Sequence, residues 1–341
     1  IWPMQPQNSE LNDAIKSKNF DEAQRLVDSG CDTRIEDENG LTPVDYALLS
    51  GNANFFKSIN KANRDKNVKA MMEKFPGLCA HFMSIPDFQI KFKWRVYSWL
   101  PFITAFCPSD VWTITKVGSK MRIDTTLANW SGFRFTRGST SIYFDADSGE
   151  LLDSFIAIDN MSGERFSVLR EVVESSEIDS DIENLMKMDL IKGNILMDTI
   201  RHTDSKGWFG RKIGSSLHDN RWNVAPSDLQ NVKIRFTHFF CEDYGKNDIK
   251  PNYSVKNYSG RFWCSNEFPI QMPMLQPFFE TLSPFKETCK NILSILGMFS
   301  DGMPLKAIVN VFPTVKLEFE FVDYNDNTES YAELVKLPPA N

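Results

Sequence analysis

The chain's 341 residues are 42% hydrophobic and 24% charged, an ordinary globular balance with room for two domains of unequal size. A formal net charge of -7 argues against a nucleic-acid duplex as partner, and the basic runs Lys61 to Lys74 and Lys91 to Arg95 read as solvated faces. The apolar runs Tyr97 to Cys107, interrupted by Pro101, and Ile292 to Phe299 are well short of the roughly 18 residues that a spanning helix needs.

In chain order, Ala14, Lys18, Asn19 and Leu26 recur 33 residues later as Ala47, Gly51, Asn52 and Ile59, the period of ankyrin units. The second copy carries Gly40-Leu41-Thr42-Pro43-Val44-Asp45-Tyr46-Ala47, close to the Thr-Pro-Leu-His-x-Ala signature. The echo ends after Ile59, under two units, whereas such helix pairs bury their apolar faces by stacking on neighbours. Leu11, Ala14, Ile15, Ala23, Leu26, Val44, Ala47, Leu48, Phe55 and Phe56 are therefore expected to find cover elsewhere in the chain.

Residues 61 to 75 read as a polar helical connector ending before Pro76-Gly77. From Phe88 the pattern turns to period 2, and Gly118-Ser119, Gly138-Ser139 and Asp147-Ser148-Gly149 are read as tight turns of an antiparallel meander. The acidic stretch Glu171 to Asp189 has Ile178, Ile182, Leu185 and Met186 at helical spacing, with Ser180-x-x-Glu183 as a capping box. Met274 to Phe299 reads as an apolar core helix, kinked or restarted at Pro284. Two strands close the pattern, the second with Lys316, Glu318 and Glu320 on a wet face. The expected fold is α+β: a short ankyrin-type helical N-terminal part docked on a larger antiparallel β-meander domain with a long apolar C-terminal helix. Its boundaries are 8–75 for the repeats and connector, 76–325 for the large domain and 326–341 for a tail.

Catalytic and metal chemistry find little support. There is no Gly-x-Ser-x-Gly, no His-Glu-x-x-His, and Gly210-Arg211-Lys212-Ile213-Gly214-Ser215 lacks the order of a phosphate loop. Six cysteines form no Cys-x-x-Cys pair, and Cys79 with His81 leaves a zinc two ligands short, so reduced thiols and no metal or cofactor are expected. The chain opens at Ile1 without the pattern of a secretory leader, and the sequons at Asn129, Asn160, Asn252 and Asn257 are expected to be unused.

Two binding elements stand out. Lys206-Gly207-Trp208-Phe209-Gly210-Arg211-Lys212 sets two aromatics between glycines and basic residues, suited to acidic lipid headgroups or a partner, or else to plugging a sheet edge. The ankyrin turn Glu36-Asp37-Glu38-Asn39 is the second, since such tips face ligands. Asp37, Asn39, Trp208, Phe209, Arg211 and Lys212 are the partner-binding candidates.

Phe92-Lys93-Trp94-Arg95-Val96-Tyr97-Ser98-Trp99-Leu100-Pro101, Cys107-Pro108-Ser109-Asp110-Val111 and Lys116 to Leu127 resemble the ankyrin repeat domain 13 family, whose large domain is often called the GPCR-chaperone domain. Ser205 to Gly210, Phe262 to Pro269 and Gly302 to Ile308 fit in the same order. The resemblance runs from Leu11 to about Phe321 and implies a non-enzymatic adaptor or chaperone on the cytosolic side of membranes, peripheral on the endoplasmic reticulum or endosomes, with receptor segments as clients. A scaffold subunit of a larger assembly and a lipid-binding module remain alternatives. Asp323 to Leu334 is acidic but lacks the serine spacing of the family's ubiquitin-binding helices, so ubiquitin binding is not supported.

Overall fold

The computed structural model describes residues 6–100, 107–131, 134–170, 178–206, 211, 213–282 and 302–339. Their contacts separate two compact units, one assembled from residues 1–70, 173–197 and 233–257, the other from 71–172, 198–232 and 258–341.

The smaller unit contains the repeats. Helices α1 (Pro6–Lys16), α2 (Phe20–Asp28), α3 (Pro43–Leu49) and the first part of α4 (Ala53–Ser84) follow the sequence echo closely. Asn19 caps α2 by accepting from Glu22 N–H, and its counterpart Asn52 accepts from Phe55 N–H. Lys18 and Gly51, also one period apart, both have positive φ, 59° and 70°. Gly51 has a second reason to be glycine, because a Cβ there would stand 2.8 Å from the backbone of Gly245. Thr42 and Asp45 form a reciprocal capping box ahead of Pro43 in the first turn of α3.

Leu11, Ile15, Ala23, Ala47, Phe55, Phe56 and Ile59 form the core of these helices. Its cover comes from later in the chain. Ile182 on α5 (Ile178–Leu185) is buried in the same cluster, and Met186, Leu190 and Tyr244 pack against it. Ser180 lies inside α5 rather than at its cap. Strand β7 (Leu190–Leu196) pairs with the end of β10 (Trp222–Phe239), from Lys233↔Leu196 to Phe239↔Leu190.

The larger unit is an antiparallel sheet. β1 (Phe88–Ser98), β2 (Ser109–Val117), β3 (Lys120–Ser131), β4 (Arg134–Asp145), β5 (Phe155–Asp159) and β6 (Arg165–Ser167) form a meander. On its other side β1 pairs with β13 (Val315–Asn325), followed by β12 (Met303–Phe312) and β11 (Asn252–Ser265). β8 (Arg201–Asp204) and β9 (Ser216–His218) pair with the first part of β10.

The expected fold class is thereby corrected. Thirteen strands dominate the described residues, with a helical N-terminal part. In the apolar segment the described helix is only α6 (Met272–Leu282), and the rest of the expected long helix, 283–299, lies outside the described residues. The longest described helix is α4, 32 residues, which runs through Pro76 instead of ending before it. A proline inside a helix costs about 3 kcal/mol. Here Met71, Phe75, Leu78, Cys79 and Phe82 bury against Phe144, Leu151 and Leu169, and several buried apolar side chains at ~1.5–3 kcal/mol each outweigh that cost.

Two local expectations also change. Gly138-Ser139 is no turn, since β4 continues through it. Glu318, expected on a wet face, is buried because Arg95 and Lys306 close over it at 2.5 and 3.3 Å. Among the described residues no helix is long and apolar enough to cross a membrane.

Candidate partner-binding cleft

The ankyrin turn is fixed by its own acid. Asp37 Oδ1 accepts from the N–H groups of Asn39 and Leu41 at 2.8 and 3.0 Å, while Tyr46 Oη donates to Oδ2. Burial alone would raise the Asp37 carboxyl, but these bonds and nearby Lys16 hold it below the ordinary carboxylate value. Burial, and next the Asp37 bond, push the Tyr46 phenol well above its usual value. Asp37 thus spends its lone pairs on the turn, and the exposed side chain at the tip is Glu38. Asn39 is half-buried and its carbonyl accepts from Asn194 Nδ2 at 3.4 Å. Gly40 has φ +79°, a backbone that L side chains rarely adopt, and a Cβ there would also push the Asn194 amide aside.

Beside this turn, within the same unit, lies a cleft of about 380 Å³. Leu41, Leu49, Phe239, Ile249 and Pro251 supply apolar wall, and Tyr46 and Tyr253 add aromatic surface. Lys16, at the end of α1, holds its ammonium 4.3 Å from the centre of the Tyr46 ring. Lys18 donates to the Gly245 carbonyl at 2.7 Å and to Asn247 at 2.8 Å, so the strained repeat position is anchored to the loop that borders the cleft. Thr237, on β10, also lines the cleft; it is 1% exposed and its hydroxyl has no hydrogen-bond partner among the described residues.

The other sequence-selected residues lie apart from this cleft in the chain. Trp208, Phe209 and Lys212 fall outside the described residues, and Arg211 is exposed. The ends of that segment are joined in the larger unit by Ile213 N–H donating to the Ser205 carbonyl at 2.8 Å, and Ser205 Oγ donates to Asp228 at 2.7 Å. Lys16, Thr237, Phe239, Ile249 and Tyr253 were not selected from sequence. They come from three parts of the chain, the end of α1, the end of β10 and residues 249–253, and no linear motif joins them.

One constellation invites a catalytic reading. His238 Nε2 lies 2.9 Å from Asp189 Oδ2, and Cys241 N–H donates to Asp189 Oδ1. Burial and then the Asp189 carboxylate raise the Cys241 thiol above its usual value, the opposite of what a thiolate nucleophile requires. His81 and His218 are bonded to the carbonyls of Met274 and Phe321. Among the described residues no group of three or more His, Cys, Asp or Glu is placed to hold a metal ion.

Comparison with known proteins bears on the binding reading. The ANKRD13 C-terminal family profile matches residues 122–238. Ankyrin repeat domain-containing protein 13C of Homo sapiens is 22% identical over 373 aligned residues, covering 93% of this chain and 69% of that protein. The 13C protein of Danio rerio is 21% identical over 93% of this chain and 76% of its own length. Protein 13A of Homo sapiens is 27% identical over 52% of this chain and 32% of its own length. A solved LolA superfamily protein from Nitrosomonas europaea aligns over 75% of this chain and 92% of its own at 6% identity, with a TM-score of 0.23, too low to support an argument.

Proposed function

The chain belongs to the ankyrin repeat domain 13 family, and from that premise we propose that it is a non-enzymatic adaptor or chaperone on the cytosolic side of membranes. Family membership points to protein binding. The observation that carries the reading is the cleft beside the Asp37 to Leu41 turn, where apolar wall, cationic rim and a fixed ankyrin tip meet. Its clients are cytosolic segments of membrane receptors, and its location is cytoplasmic, peripheral on the endoplasmic reticulum or endosomes. Trp208 and Phe209, flanked by Lys206, Arg211 and Lys212, supply the membrane contact in this reading, on the strength of sequence alone.

Proximity labelling in the native cell, read with quantitative pull-down of the full chain, tests it. Receptors enriched in both, released reversibly from a chain that also purifies alone, are the expected result. Purification only as a fixed stoichiometric complex would replace the adaptor with a scaffold subunit, and co-extracted lipid without client protein would replace it with a lipid-binding module.

A further inference from the structure

The chemistry of the cleft selects among client segments more narrowly than the adaptor reading does. We propose that it takes an acidic peptide segment anchored by a large apolar side chain. The inference rests on the adaptor reading and specifies what that adaptor grips.

Three features converge. The first is charge: in the lining Lys246 and Asp248 are compensated by ion pairs with Asp243 and Lys250, which leaves Lys16 and Lys18 to make the rim cationic on a chain of net charge -7. Lys18 is bonded to the Gly245 to Asn247 loop, whereas the Lys16 ammonium rests on the Tyr46 ring. A carboxylate arriving there gains a charge-assisted partner without displacing a hydrogen bond of Lys16. The second is shape: about 380 Å³, walled by Leu41, Leu49, Phe239, Ile249 and Pro251, is at the small end of ligand sites and admits one or two large side chains. An anchor of that kind carries most of the energy in peptide recognition.

The third is Thr237. A buried hydroxyl without a partner is costly, and a hydrogen bond made on binding removes that cost. A peptide brings backbone N–H and C=O groups that can meet it, while an acyl chain brings none. That difference favours a protein segment over a membrane lipid as occupant.

The test uses the full chain, a random nine-residue peptide display library and vesicles rich in phosphatidylserine. Expected is enrichment of peptides in which Asp or Glu adjoins Leu, Phe or Trp. Lys16→Glu, at an exposed position, should weaken the selected peptides about fivefold or more, since it replaces an attraction by a repulsion. Thr237→Val should weaken them as well while leaving the melting temperature unchanged or raised, which a purely structural hydroxyl would not do. No enrichment, enrichment of basic or purely apolar peptides, or acidic peptides indifferent to Lys16→Glu would overturn the proposal. Vesicle binding lost in Lys16→Glu, with no peptide selected, would assign the cleft to membrane instead. Receptor capture that persists undiminished in Lys16→Glu would remove the acidic-peptide assignment and leave the adaptor standing. A chain that selects acidic peptides but captures no receptor in cells would do the reverse.

Discussion

Replacing Ile182 by Ala tests how under two ankyrin units hold together. Ile182 is 4% exposed and belongs to the same cluster as Leu11, Ile15, Ala47 and Phe56, so α5 does for these helices what a third repeat does in longer arrays. The change deletes three carbons, or ~2.4 kcal/mol at ~0.8 kcal/mol per group, and the cavity left behind adds to it, for a total of about 2–4 kcal/mol. At roughly 1.4 kcal/mol per tenfold, amides of α1 to α3 that exchange by opening of this unit should exchange roughly 30- to 1,000-fold faster. Native-state hydrogen exchange reads this directly, with the exposed Glu183→Ala as control, expected within ~0.5 kcal/mol. An Ile182→Ala chain whose repeat amides keep the protection of the control would refute the idea that α5 closes this core.

Other consequences can be checked in parallel. Gly51→Ala should cost about 2 kcal/mol or more, from left-handed backbone and the clash with Gly245, and should lower the denaturation midpoint of the smaller unit. Asp110, fully buried, accepts from Trp112 Nε1 at 2.7 Å, from the Val111 and Thr126 N–H groups, and from the Thr125 and Thr126 hydroxyls. Burial would raise its carboxyl, yet those bonds hold it below the ordinary value, so its stabilisation is present above about pH 4 and lost as pH falls through the lowered native value. Asp110→Asn should cost about 2–4 kcal/mol at neutral pH and flatten the acid limb of the stability curve, as followed by urea denaturation across pH. Trp208→Ala should leave the melting temperature unchanged and weaken vesicle or partner binding; unfolding would instead make it a plug at the sheet edge.

Several elements were legible because local chemistry and the final environment agree. The 33-residue echo, its Thr-Pro turn and the hairpin at Gly118 with φ 56° are local devices, readable without knowing the fold, and the structure adds the Thr42–Asp45 capping box and the Asn19 and Asn52 caps to that echo. The same logic failed at Gly138-Ser139, where a turn-forming pair lies within a continuous strand. β10 escaped notice because Pro226 and Asn231, the latter at φ 57°, interrupt its alternation over 18 residues. Pro76 and Glu318 show the limit from the other side, since packing against the sheet and two cations decide their fate, and neither is visible in a window of neighbours. Of the cleft, the turn from Asp37 to Leu41 could be read, whereas Thr237 and Tyr253 join it only through tertiary structure. Asp110 and Thr125-Thr126, drawn from two of the segments that carry the family resemblance, form one buried hydrogen-bond network, which gives those segments a structural role.

Site-specific photo-cross-linking in the native cell reaches the binding cleft most directly. A benzoyl-phenylalanine at Tyr253, which is 57% exposed and lines the cleft, should cross-link to the cytosolic segment of a membrane receptor, while the same group at Leu217, 63% exposed in the larger unit, should not. Receptor adducts from Leu217 with none from Tyr253 would contradict it.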